Sequence, residues 1–125
     1  SISAQWTLQG GGTPSDQIKE QNQQIEIITK TTAGYWALES ASTYDMTSSY
    51  AYCQIIDRGN QSLASFEVIL YVDVDANNKV YYSMNSNTLD ARKVVAGVNV
   101  SVASAAYNAT THKWLRIRES GGTIF

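Results

Sequence analysis

The chain reads as all-β, an antiparallel sandwich of two packed sheets, and three observations carry that reading. Short apolar stretches alternate with polar residues at period two, turn-forming dipeptides separate them at short intervals, and no stretch sustains a helical stripe. Thr111 to Phe125 shows all three at once. Leu115 and Ile117 alternate with Trp114, Arg116 and Arg118, as in a strand with one face on a core and one toward water. Ser120-Gly121-Gly122 then supplies the left-handed positions of a tight hairpin, and Thr123-Ile124-Phe125 restarts a strand.

The elements follow in order. Thr13 to Glu20 has the polar start of a helix, yet Gln21 to Gln24 brings no apolar stripe to hold one, so this segment is expected as a polar loop with at most one helical turn. Ile25, Ile27 and Ile28 mark a strand, and Tyr35 to Glu39 marks another after the turn ending at Gly34. From Ser49 to Ile56, Ala51, Cys53 and Ile55 alternate with Tyr50, Tyr52 and Gln54, and the small set is assigned to the core. Phe66, Val68, Leu70, Val72 and Val74 give the cleanest alternation, which predicts a central strand. A three-residue connection, Ala76-Asn77-Asn78, would pair 75 with 79, 74 with 80 and 72 with 82, placing Val80, Tyr82 and Met84 on the face of Val72 and Val74. Asp90 to Val95 and Val98 to Ala103 bracket an Ala96-Gly97 hairpin, and the competition of Arg92 and Lys93 with Val94 and Val95 places the first of these strands near an edge. About nine strands result, enough for two sheets closing one core.

Composition narrows the function classes. At 125 residues the chain suits one domain, 1–125, with a core of its own. The net charge of −2 comes with scattered basic residues, which argues against a nucleic-acid surface. Only 16 % of residues are charged, while Ser, Thr, Asn, Gln and Tyr abound, a balance of extracellular and virion β proteins. The single cysteine, Cys53, allows no internal disulfide and reads as a small buried hydrophobe. No run approaches the roughly eighteen apolar residues of a membrane helix. Three sequons, at Asn60, Asn99 and Asn108, are near what an Asn- and Ser-rich chain gives by chance.

Few residues point to catalysis. Asp73 to Asn78 spaces oxygen ligands in the manner of a calcium loop, but it lacks the glycine and the closing glutamate, and a hairpin explains the same residues. Asp73 and Glu67 share a strand face without any sign of a cleft. His112 is the only histidine, in a Thr-Thr-His-Lys turn, and is expected to be solvated. No metal or other cofactor is expected. The outward set is more suggestive: Tyr71 and Tyr81 by the hairpin register, and Trp114, Arg116 and Arg118 by theirs, are the candidate carbohydrate-binding residues. Aromatic plates stack on the apolar face of a sugar, and guanidinium groups donate to its hydroxyls or carboxylates. The same residues would also suit a sandwich rim, with Trp114 packed and the arginines lying over it, paired with acids on neighbouring strands.

The order of segments resembles the concanavalin A-like lectin/glucanase superfamily, the laminin G-like jelly rolls, and in particular the stand-alone forms of bacterial secreted and phage tail or virion proteins. The resemblance lies in Ser3 to Thr7, Gln24 to Ile27, Tyr35 to Met46, the hairpin Asp73 to Val80 and, most specifically, Ala106 to Glu119. It implies a jelly roll trimmed of its first and last strands, because the family's upstream strand and its later Ser-x-Asp-Gly-x-x-Trp turn have no counterpart. The glucanase motif Glu-x-Asp-x-x-Glu is absent, and the metal ligands of legume lectins cannot be matched.

The function expected is a non-catalytic module for carbohydrate binding, or for adhesion and structure, within a larger secreted or tail-associated protein, extracellular or virion in location. A fragment of a glycoside hydrolase or lyase is one alternative. A purely structural virion domain with protein partners is the other. The partners expected are a glycan or cell-surface polysaccharide and other domains of a parent protein, with neither nucleic acid nor membrane insertion.

Overall fold

The computed structural model describes residues 4–10, 18–28, 36–57 and 66–125. The described residues hold eleven strands and no helix, and every strand pairing is antiparallel. The chain divides into two compact units, Ser1–Tyr44 and Asp45–Phe125.

In the first unit, β1 (Trp6–Gly10) pairs with β4 (Trp36–Ser40), from Trp6 opposite Ser40 to Gly10 opposite Trp36. β2 (Ile18–Gln21) and β3 (Gln24–Ile27) form a separate hairpin, with Ile18 opposite Ile27 and Ile18 buried. This corrects the loop expected over Gln21 to Gln24. Asn22 and Gln23 both take left-handed angles, φ 52° and 60°, so the two-residue turn matches strand twist without a glycine. Glutamine is an unusual residue there, and that hid the hairpin. The part of the expected helical turn that falls on 13–17, and the predicted strand start at Tyr35, lie outside the described residues.

The second unit contains β5 (Tyr50–Gln54), β6 (Phe66–Asp75), β7 (Asn78–Asn85), β8 (Thr88–Val95), β9 (Val98–Ala106), β10 (Trp114–Ser120) and β11 (Thr123–Ile124). Strands β6-β7-β8-β9 make a meander of four, and β11-β10-β5 make a sheet of three. The Ala96-Gly97 and Gly121-Gly122 turns fall where the sequence placed them, with φ of 51°, 79°, 60° and 79° in chain order. A Cβ on Gly97 would meet only Asn77 Oδ1 at 3.7 Å, so its left-handed backbone, and not space, favours glycine there. A further turn at Ser86-Asn87 joins β7 to β8.

The β6–β7 hairpin departs from its expected register. Val72 faces Val80 and Tyr71 faces Tyr81, two residues from the predicted alignment, and Asp75 pairs with Asn78 around a two-residue turn. A shift between Asp73 and Asp75 leaves Val74 as the extra residue, exposed at the tip and off the core face expected for it. The bulge restores the parity that a two-residue loop would otherwise flip, so Val72, Val80 and Tyr82 still share one face. β6 also lies at an end of its sheet among the described residues and not at the centre. Alternation reports two differently solvated faces, and it carries no information on how many hydrogen-bonded neighbours a strand has. β8 is hydrogen-bonded on both sides, to β7 and to β9, and the end of the sheet among the described residues is β9.

The core of this unit joins both of its sheets. Met84, Leu89 and Leu115 form the buried cluster, and Cys53, Ile55, Ile69, Leu70, Tyr82 and Tyr107 pack against it. Ala51, Cys53 and Ile55 face inward as expected, while Tyr50 and Tyr52 face out. Burial pushes the Cys53 thiol up from its ordinary pKa, in keeping with a packing role.

The tip of β6–β7 explains the residues that mimic a calcium loop. The Asp75 carboxylate accepts from the Asn78 amide at 2.9 and 2.8 Å and from the Asn77 backbone N–H at 2.8 Å. Asn78 Oδ1 and the Asn77 carbonyl in turn accept from the backbone N–H groups of Ala96 and Gly97, tying two hairpin tips together. These bonds, first the Asn78 amide and then the Asn77 N–H, lower the Asp75 pKa. A carboxylate whose pKa is depressed on folding adds stability above its unfolded value, near pH 4, and that stability is lost as the pH falls through the folded value. The stability difference between wild type and Asp75→Asn should therefore shrink on acidification below about pH 4. Thermal midpoints of the two proteins from pH 6 to pH 2 check this, and parallel curves would remove the role given to Asp75.

Candidate functional site

Pairing of β5 with β10 builds the most chemically distinctive surface of the second unit. Leu115 lies opposite Cys53 and Ile117 opposite Ala51, so the inward positions are aliphatic or small. The outward positions alternate with them: Trp114 opposite Gln54, Arg116 opposite Tyr52 and Arg118 opposite Tyr50. Tyr50, Tyr52 and Trp114 remain 58 %, 60 % and 58 % exposed. Large rings facing water at this level are unusual when they are contiguous, and contiguity marks a surface for a partner.

The side chains form a continuous ladder. The Tyr50 and Tyr52 ring centroids are 5.8 Å apart, and those of Tyr52 and Trp114 are 6.0 Å apart. The Arg116 guanidinium carbon lies 6.0 Å from the centre of the Tyr50 ring, and that of Arg118 lies 5.2 Å from the centre of Phe125. Tyr50, Tyr52, Tyr82, Trp114, Leu115 and Arg116 line an open groove of about 710 Å³. Tyr82 reaches it from the other sheet and donates its hydroxyl to the Arg116 carbonyl at 3.1 Å. That bond ties the β10 backbone to β7 beside the groove.

One end of the ladder is clamped by Glu119. Its carboxylate accepts from the Gly122 N–H at 2.5 Å and from the Ser48 N–H, holding the β10–β11 turn and the loop before β5 to the same side chain. Arg118 and Phe125 also exchange backbone bonds at 2.9 and 2.7 Å, which seats the Phe125 ring beneath the Arg118 guanidinium.

The five candidate residues of the sequence divide between two places. Trp114, Arg116 and Arg118 come together on the outer face of β10. Tyr71 and Tyr81 lie opposite each other on the four-stranded sheet, Tyr71 half-buried. The outward position expected for Tyr81 is corrected, since it is only 7 % exposed and next in sequence but one to the fully buried Ser83. Its hydroxyl accepts from Asn99 Nδ2 at 2.7 Å, Asn99 Oδ1 accepts from Arg92 Nε at 3.1 Å, and Arg92 pairs with Asp90 at 3.7 Å. Tyr81 therefore anchors a polar network, which satisfies its hydroxyl away from water. β7 has buried residues on both faces, so period two could not tell core from solvent there.

Tyr50, Tyr52 and Phe125 belong to the ladder and were not picked from the sequence. The alternation of Tyr50 and Tyr52 was visible, but only the long-range pairing of β5 with β10 makes them neighbours of Trp114. Where a sandwich rim would pair the arginines with acids, each guanidinium carbon here lies over a ring. Neither Arg116 nor Arg118 makes an ion pair among the described residues, whereas Lys79 pairs with Asp73 at 3.4 Å and Arg92 with Asp90.

The other candidates have structural roles. His112 is half-buried, a correction to the solvated turn expected: its Nδ1 accepts from the Asn108 backbone N–H at 3.0 Å, its own backbone N–H donates to the Asn108 carbonyl at 2.8 Å, and its ring centroid lies 6.0 Å from that of Tyr107. Asn108 Oδ1 takes the N–H groups of Thr110 and Thr111, completing the turn before β10. Asp73 is engaged by Lys79, and among the described residues no three His, Cys, Asp or Glu side chains cluster in a way that could hold a metal. No family model matches the chain, and comparison with curated proteins and with solved structures finds no match either.

Proposed function

We propose that the chain is a non-catalytic β-sandwich module, of the jelly-roll kind seen in concanavalin A-like proteins, that binds carbohydrate through the outer face of β5 and β10. The observation that carries this reading is the ladder of Tyr50, Tyr52 and Trp114 with Arg116 beside it, exposed and lining one groove. Rings at this spacing offer apolar plates to the C–H faces of successive sugar units, and the guanidinium offers planar donors to their oxygens. The outer positions of the two strands supply rings, amide and guanidinium groups, which hold a sugar by stacking and hydrogen bonding. Two sheets sharing the Met84, Leu89 and Leu115 cluster support the sandwich, and the segment Ala106 to Glu119 supports the jelly-roll likeness. A secreted or tail-associated parent protein, extracellular or on a virion, fits the polar, sparsely charged composition.

Native gel electrophoresis with a panel of soluble polysaccharides in the gel tests the reading. Retardation by at least one of them is expected, and unchanged mobility with all would remove it. One observation favours a second reading, a structural domain with protein partners. β9 is exposed along all nine of its residues, has no charged side chain and ends its sheet among the described residues, so it could accept a strand from another protein.

A further inference from the structure

We infer that the saccharide held by the β5–β10 face is anionic, its carboxylate or sulfate received by Arg116 and Arg118. This rests on the carbohydrate reading of the same face and names the class of ligand. The argument is one of charge. Arg116 and Arg118 project from one face of β10 two residues apart, and the outer positions of β5 and β10 facing them are Tyr50, Tyr52, Gln54 and Trp114, none of them acidic. The chain as a whole is slightly acidic, at −2, so two cations without a counter-charge on this face do not reflect a basic protein.

The way the arginines are held points the same way. Each guanidinium carbon lies over a ring, that of Arg116 at 6.0 Å from the centre of Tyr50 and that of Arg118 at 5.2 Å from the centre of Phe125, and a ring contact of this kind uses none of the group's N–H donors. No ion pair draws these donors away among the described residues. A guanidinium resting on a ring is restrained before the ligand arrives, so less rotamer freedom is lost on binding. Planar paired donors of this kind match the oxygens of a carboxylate or a sulfate ester, and such charge-assisted bonds are about twice as strong as those to a neutral hydroxyl. Gln54 is the only neutral amide on the two strand faces, a poor endowment for a site built to read uncharged hydroxyls. Arg116 lines the groove with Tyr52 and Trp114, so a sugar stacked on those rings presents its anionic substituent to Arg116.

Isothermal titration of the full chain with polygalacturonate, dextran sulfate, neutral dextran and an oligothymidylate tests the inference. Binding of polygalacturonate or dextran sulfate at least tenfold tighter than dextran is expected, the two polymers separating carboxylate from sulfate as the favoured anion. Tenfold is about what one charge-assisted contact contributes. The preference should weaken as salt is raised from about 50 to about 300 mM. Arg116→Gln should bring the anionic polymers to the level of dextran with an unchanged thermal midpoint, and Arg118→Gln, also at an exposed position, provides the same readout independently. Equal binding of dextran and the anionic polymers would overturn the anionic class while leaving the carbohydrate reading intact. Oligothymidylate bound as tightly as polygalacturonate would overturn it in favour of general polyanion binding. Binding to none of the four would overturn both.

Discussion

Leu115→Ala is expected to destabilise the second unit by about 2–5 kcal/mol, the range for a large aliphatic side chain removed from a packed core. Leu115 is buried between the two sheets, in the cluster that Met84 and Leu89 supply from β7 and β8. Its loss leaves a void bordered from both sides, with Cys53 directly opposite on β5 and too small to fill it. For a unit of this size, each kcal/mol shifts the thermal midpoint by roughly 4–8 °C, so a fall of at least about 8 °C should be seen. Urea denaturation checks the free energy directly. A loss under about 1 kcal/mol would mean that the sheets do not share the core described.

The second large effect falls one residue away and on a different observable. Trp114→Ala removes the terminal ring of the ladder from a position that is 58 % exposed, so stability should change by less than about 1 kcal/mol. Saccharide binding should fall by about 2 kcal/mol or more, roughly thirtyfold in Kd, as for the aromatic anchors that dominate recognition surfaces. Calorimetric titration of the tightest-binding polysaccharide with both proteins measures it. Affinity within twofold of wild type would take Trp114 out of the binding face. Leu115→Ala, measured under conditions where it remains folded, should bind nearly as wild type does. The pair of substitutions thus separates the inward from the outward set of a single strand.

That separation was legible before any fold was known, because β10 has one face on a core and one in water and its sequence alternates cleanly. The same holds for β5, and for the Ala96-Gly97 and Gly121-Gly122 turns, whose glycines announce left-handed backbone. The Asn22-Gln23 turn carried no such mark, and a polar hairpin resembles a loop when nothing apolar lines it. The β6–β7 register was missed by two residues because a bulge at Val74 and a longer loop satisfy the same parity. Local sequence offers no means of choosing between them.

The site was half legible for a related reason. Trp114, Arg116 and Arg118 follow from one strand alone. Their partners Tyr50 and Tyr52 depend on pairing between segments far apart in the chain, which alternation does not encode. Tyr81 goes the other way: alternation suggests a solvent-facing ring, but the face it lies on is occupied by the Asn99, Arg92 and Asp90 network, which leaves it buried. A tyrosine at an outward position is a binding plate only where the sheet face is bare.

The central claim is that the bare face is the one formed by β5 and β10. It is tested most directly by following the backbone and side-chain NMR signals of the isotopically labelled protein during titration with a short oligogalacturonate and, separately, a neutral maltooligosaccharide. Saturable shifts are expected at Tyr50, Tyr52, Trp114 and Arg116 with at least one of them, and unmoved signals for Tyr81, Asn99 and the β8–β9 turn. Shifts confined to the four-stranded sheet, or none on β5 and β10 with either sugar, would contradict it.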